Sequence, residues 1–201
     1  MVTDQTMSDV RRAALTMGPL IREQADEIER GRRLTPAVVD AMKQAGIFGM
    51  AMPKAWGGVE LDLPEQLRIL ETLSRFDGSV GWCATIGSAG GFVSSYITDD
   101  AGRELFHDGN FASAGSFIFA GKAARVDGGY RVSGRWPFNS GCQHASVFGF
   151  TCNVVDNDSH PIIRAEDSLK CAHVLCLRRK GGSLIPGTPP GSAAAAVMTS
   201  N

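Results

Sequence analysis

Apolar positions recur at helical spacing through the first half of this chain and alternate through the second. Leu15, Leu20, Ile21, Ala25 and Ile28 follow the helical period, with Gly18 and Pro19 predicting a kink or break. Thr35 and Pro36 supply a capping hydroxyl and a proline at the first helical position. The helix they start points Val38, Val39, Met42 and Ile47 inward, and Gly46 can end it. A loop with Pro53, Gly57 and Gly58 follows. Leu63 and Pro64 then open a helix expected to carry Leu67, Leu70, Leu73 and Phe76 on one face. Asp77, Gly78 and Ser79 form a turn and cap. The next segment, SVGWCATIGSAGGFVSSYI, is apolar or small at nearly every position, which predicts burial on several sides.

After Gly109 the period shortens to two. FASAGSFIFAGKAARV and GYRVSGRW alternate as strands around a hairpin turn at Asp127, Gly128 and Gly129. ASVFGFTCNVV and AHVLCL read as two further strands. The pattern predicts an α+β chain: a helical domain over residues 1–110, an antiparallel β domain over 111–177, and a low-complexity disordered tail over 178–201.

Composition narrows the function classes. The chain has 201 residues, 43% of them apolar and 20% charged, as in ordinary globular proteins. A formal net charge of −1 gives no electrostatic reason to expect nucleic acid or an anionic membrane as partner. No apolar run reaches transmembrane length, and MVTDQTMSDVRR has no signal-peptide core. Cys83, Cys142, Cys152, Cys171 and Cys176 show no CxxC metal spacing. They read as reduced thiols of a cytoplasmic protein, and no metal site is expected.

Candidate chemistry concentrates between Tyr130 and Ser146, YRVSGRWPFNSGCQHAS. The strand breaks at Pro137 and brings an aromatic ring, an amide, a hydroxyl and a bare glycine backbone to one turn, which could hold the edge of a flat polar ring. Gly87, Gly90 and Gly91 disfavour their helix by about 1 kcal/mol each relative to alanine, so they need a reason. Close packing and ligand approach are the two candidates, with packing favoured. Trp82 and Phe92 read as core residues that could alternatively wall a pocket. Ser88 is the polar side chain of that glycine run and a candidate substrate contact. His144 reads as a histidine that fixes the turn. His107, His160 and His173 read as surface or loop residues.

LTPAVVDAMKQAGIFGMAMPKAWGGVELD, the buried middle helix and VDGGYRVSGRWPFNSGCQHAS together resemble the acyl-CoA dehydrogenase superfamily. The last motif is similar to the flavin-dependent hydroxylase branch more than to the dehydrogenases. The resemblance covers roughly residues 8 to 177. It implies a flavin (FMN/FMNH2 or FAD) held between the β domain and a C-terminal four-helix bundle that these residues do not supply. Carried over position by position, Trp136, Phe138, Asn139, Ser140 and Gly141 would line the isoalloxazine, with Trp136 and Phe138 excluding water. Trp82, Ser88 and Phe92 would line the substrate pocket. No histidine stands in the Gly87–Gly91 run, so no catalytic base is carried over and the catalytic residues stay unassigned. The implied partners are a flavin reductase and a small-molecule substrate, and the implied intact assembly is a homotetramer.

The tail bears on that resemblance. Codons can be chosen for residues 184–201 so that reading one nucleotide earlier gives DTWHTSGLRGSGSHDVE, similar to the superfamily's continuation. A frameshift near residue 177 is therefore expected, which would leave a truncated chain with little or no activity alone. Three readings stay open: a monooxygenase hydroxylating an aromatic or polycyclic substrate with reduced flavin and O2, an acyl-CoA dehydrogenase using FAD, and a non-catalytic fragment.

Overall fold

The computed structural model describes residues 7–106, 111–126, 129–156, 160–162, 171–177 and 195–197. The chain divides into two compact units. A helical unit runs to Ser95 and takes in Phe106–Ala112; the second holds Tyr96–Leu105 and the residues from Ser113 onward.

In the helical unit, α1 (Asp9–Thr16) and α2 (Gly18–Gly31) are split at Met17, with Pro19 in the first turn of α2. Ser8 caps α1 by accepting from the Arg11 N–H. α3 (Pro36–Gln44) starts under the Thr35 hydroxyl, and Gly46 leaves it at φ +73°, the left-handed region that suits glycine. Val38, Val39, Met42 and Ile47 are all buried in the core of this unit, with Ile21, Ile28, Phe48, Ile69 and Leu73.

α4 (Leu63–Phe76) departs from the expected face. Its buried stripe is Glu65, Gln66, Ile69 and Leu73, while Leu63 and Leu67 are exposed. Two polar residues begin the stripe because each finds a partner when buried. The Gln66 amide donates to the Leu61 carbonyl at 2.7 Å, and Glu65 accepts from the N–H and hydroxyl of Ser8 at 3.0 and 2.9 Å. Arg11 and Arg68 flank the same carboxylate at 3.7 and 3.4 Å. Hydrophobicity alone does not register such a stripe.

Asp77 caps α5 (Gly78–Ser88) by accepting from the N–H groups of Ser79 and Val80, and α6 (Gly90–Val93) follows. The glycines here serve close packing. A Cβ on Gly87 would come within 2.3 Å of the Phe48 ring, and one on Gly91 within 2.6 Å of the Ala51 backbone. The expectation of burial on several sides is corrected. α5 buries Val80, Gly81, Ala84, Gly87 and Ser88, while Trp82 and Phe92 are exposed.

The second unit holds most of α7 (Asp99–Phe106) and a sheet of order β2-β1-β3-β4-β5. The strands are β1 (Ser113–Val126), β2 (Gly129–Gly134), β3 (Val147–Val155), β4 (Cys171–Leu177) and β5 (Ala195–Val197). β1 and β2 form an antiparallel hairpin closed by the Val126–Gly129 pair; Asp127 and Gly128 lie outside the described residues. The expected antiparallel sheet is corrected to a mixed one, because β3 runs parallel to β1. β2 takes one side of β1, so residues 135–146 must cross β1 to place β3 on its other side, and the second reversal restores the direction of β1. The candidate turn is that crossover. Of the expected tail, residues 195–197 pair antiparallel with β4 as β5, which also lies beside β2, so the sheet curls until its edges approach. The rest of the tail is outside the described residues.

Candidate functional site

The crossover is built on Trp136. Its ring stacks on Phe150 of β3 at 4.4 Å between centroids, and its indole N–H donates to the Thr151 carbonyl at 3.0 Å. Glycines make room for it: a Cβ on Gly121 would meet the indole at 2.0 Å, and one on Gly134 at 2.8 Å. Cys142 and Ala145 join Trp136 against the core of Phe148, Phe150, Cys152 and Val174. The strand thus ends with one aromatic ring folded flat onto the sheet, and this fixes where the following residues emerge.

Those residues make a tight series of turns. Phe138 adopts φ +58° and Gly141 φ +77°. The N–H of Ser140 reaches the Phe138 carbonyl, that of Cys142 the Asn139 carbonyl, and those of His144 and Ala145 the Gly141 carbonyl. The left-handed Phe138 throws its ring outward, where it is 88% exposed. Next to it, the Asn139 side-chain oxygen is shielded from solvent and has no hydrogen-bond partner. An orphaned amide oxygen beside an unpacked aromatic ring is the arrangement that a flat ring with an N–H on its edge would complete. The residues present therefore fit a flavin. Asn139 is the group that would hold its polar edge, and Phe138 the one that would cover its face.

The other expected site residues are placed differently. Trp136 is half-buried with its polar atom already bonded, so it serves the turn from beneath. The Ser88 hydroxyl is buried and donates to the Thr85 carbonyl at 3.2 Å within its own helix. Trp82 and Phe92 are 56% and 59% exposed on the helical unit. Trp56, in the loop between α3 and α4, is buried and lies parallel to Phe106 at 6.2 Å. Gly58 in that loop faces the Met52 carbonyl so closely that a Cβ would sit 2.1 Å from its oxygen. His160 is exposed, 3.8 Å from Asp156. His107 lies outside the described residues.

His173 is corrected from a surface or loop residue to a half-buried residue of β4. Its Nδ1 lies 3.0 Å from the Thr151 hydroxyl, and its ring stacks on Phe117 at 5.0 Å. The alternation of AHVLCL carried the signal, since it sets His173 on the face opposite Val174 and Cys176. Burial pushes the His173 pKa down from its ordinary value. Burial likewise raises Cys83 and Cys176 to about 11 and Cys152 to about 12, so these thiols are protonated and inert at neutral pH.

Residues 10–104 match the family described as "Acyl-CoA dehydrogenase, N-terminal domain". A pigment production hydroxylase of a Rhodococcus species is 30% identical over 159 residues, which are 79% of this chain and 41% of the relative. The oxygenase subunit HsaA of a flavin-dependent monooxygenase from Mycobacterium tuberculosis is 32% identical over 145 residues, 72% of this chain and 36% of the relative. The solved structure of XiaF from a Streptomyces species, in complex with FADH2 and glycerol, superposes with a TM-score of 0.75 at 25% identity. That match covers 94% of this chain and 48% of the other. The chain thus spans about two fifths of the curated relatives it matches. Among the described residues, no helix is long and apolar enough to cross a membrane.

Proposed function

We propose that this chain, whose residues 10–104 belong to the acyl-CoA dehydrogenase N-terminal domain family, serves flavin-dependent hydroxylation of an aromatic or polycyclic small molecule. The observation that carries this reading is the orphaned Asn139 oxygen beside the outward Phe138 ring. The relatives support it, being a hydroxylase and an oxygenase subunit of a flavin-dependent monooxygenase. A reduced flavin, when bound, supplies the two electrons with which O2 is split between the hydroxylated product and water.

The chain's own residues have narrower tasks. Asn139 accepts from the edge of the ring and orients it. Phe138 covers a face and keeps water from it, which lowers the local dielectric around the reacting atoms. Trp136, held by Phe150 and the Thr151 carbonyl, fixes the height of both above the sheet. Trp82 and Phe92 are exposed apolar rings suited to a flat hydrophobic substrate, and Ser88 keeps its hydroxyl within its helix. The partners that follow are a flavin reductase delivering reduced cofactor, a reading supported by a relative named as an oxygenase subunit, and further copies of the chain in a homotetramer. A cytoplasmic location agrees with the protonated thiols of Cys83, Cys152 and Cys176.

Titration of the purified chain with FMN and FAD, followed by flavin fluorescence, tests the reading. One flavin is expected to bind, and Asn139→Ala is expected to weaken it about tenfold, the worth of one hydrogen bond. Equal binding by the variant would overturn the assignment of the turn, and failure of both flavins to bind would overturn the reading that these residues hold a flavin on their own. The dehydrogenase alternative predicts dye reduction that depends on acyl-CoA. The hydroxylase reading predicts none.

A further inference from the structure

β3 and β4 place Thr151 and His173 directly opposite one another, and the Thr151 hydroxyl and His173 Nδ1 are 3.0 Å apart. The pair lies on the sheet face away from the core, since Phe150, Cys152, Val174 and Cys176 on either side point into the core. Two contacts leave it. The Thr151 carbonyl holds the Trp136 indole at 3.0 Å, and the His173 ring stacks on Phe117 of β1 at 5.0 Å and 18°.

Gly149 makes the second contact possible. A Cβ there would come within 2.5 Å of His173 Nε2, so its absence lets the imidazole lie over β3 and reach β1. Phe117 begins the stretch in which β1 leaves register with β3, between Ser116 and Gly121, and it is 75% exposed. Gly121 ends that stretch, and Trp136 closes on Gly121. One histidine therefore touches both ends of the irregular segment, the bulge by stacking and the crossover through Thr151.

We propose that His173 is a positioning residue for the candidate flavin turn, holding Trp136 through Thr151 and Phe117 by stacking. Its functional meaning rests on the flavin reading of the turn; its geometry does not. The neighbours from the packed elements are Phe117 of β1, Gly149 and Thr151 of β3, and the Ala195–Val197 strand beside β4, none of them titratable. A charged side chain on the same face is Lys122, in register with Asn153 two residues beyond Thr151. Burial keeps the ring neutral at neutral pH. Protonation makes Nδ1 an obligate donor and places a charge in a desolvated site, so acid disturbs the pair and the carbonyl that anchors Trp136.

The test is NMR of the full chain labelled at the tryptophan indoles, titrated from about pH 7.5 to about pH 5. Trp136→Phe assigns its signal among the three tryptophans. The Trp136 indole signal should follow a single titration curve with its midpoint on the acid side of an ordinary histidine. Below that midpoint its solvent exchange should be about tenfold faster, as expected when one hydrogen bond is lost. Both changes should vanish in His173→Gln, and Thr151→Val should remove them with the stack on Phe117 retained. A flat Trp136 signal in the unaltered chain, or an equal titration in Thr151→Val, overturns the proposal even if His173→Gln does not fold. An FMN titration at both pH values separates the two readings. Coupling without flavin binding leaves the His173–Trp136 link standing and removes the flavin role, whereas absent coupling removes the link whatever the flavin result.

Discussion

The two units use the same residue types to opposite ends. In the helical unit the glycines are closed contacts: Gly58 against the Met52 carbonyl, Gly81 against Ser74, Gly87 against Phe48 and Gly91 against Ala51. A charged side chain buried there, Glu65, is held by Ser8, Arg11 and Arg68. In the sheet unit, Gly121 and Gly134 admit Trp136, Gly149 admits His173, and the turn above them leaves Phe138 in solvent and an Asn139 oxygen unpartnered. The first unit closes on itself at these positions, with Trp82 and Phe92 left exposed on its surface. The second is shaped around something more, and the contrast tells which substitutions should harm the fold and which should harm only a ligand.

The largest effect should come from Gly58→Ala. The added methyl faces backbone, which cannot rotate away as a side-chain tip can, so overpacking should cost about 3 kcal/mol. Gly78→Ala is the matching control, because nothing lies within 4 Å of its missing Cβ. Urea denaturation of the two variants reads the difference. Equal midpoints would mean that the helical unit is not closed as described.

Glu65→Gln should follow, at about 2 kcal/mol, because the charge-assisted bonds from Ser8, Arg11 and Arg68 are weakened together. Burial raises the pKa of this carboxyl, but the hydrogen bonds from Ser8 and the charges of Arg11 and Arg68 outweigh it and hold the pKa below the ordinary glutamate value. A pKa depressed by folding contributes stability above the unfolded value, and that stability is lost as the pH falls through the folded one. Stability should therefore drop on acidification below the ordinary glutamate range, and the variant should show a shallower drop. A parallel pH profile in both proteins would remove Glu65 from its place at the α1–α4 junction.

Sequence patterning reached the elements well and the faces less well. Every strand over residues 111–177 lies where the alternation puts it, and Thr35, Gly46 and the break before Pro19 act as their chemistry requires. Leu67 was expected inside and Glu65 was not singled out, because a buried carboxylate is stabilised by partners distant in sequence, here Ser8 at a separation of 57 residues. The parallel β1–β3 pairing was illegible for a related reason. Direction depends on which side of β1 the crossover passes, and strand periodicity is silent on that. In the turn, resemblance named Trp136, Phe138, Asn139, Ser140 and Gly141 together. It could not distinguish Trp136, whose indole is bonded to Thr151, from residues that face outward.

Phe138→Ala should have the smallest effect on stability and is the sharpest test of the contrast. A ring 88% exposed contributes almost nothing to the core, so unfolding should change by less than about 0.5 kcal/mol. The left-handed backbone does not depend on the ring, because alanine at φ +58° is strained about as much as phenylalanine. Flavin affinity should nevertheless fall about tenfold, since an aromatic contact with a flat ring is worth about 1 kcal/mol beyond its area. Loss of affinity with stability intact locates the function of Phe138 outside the fold. Loss of stability with affinity intact would mean that Phe138 packs within the sheet unit, and the two units would then differ only in the elements they use.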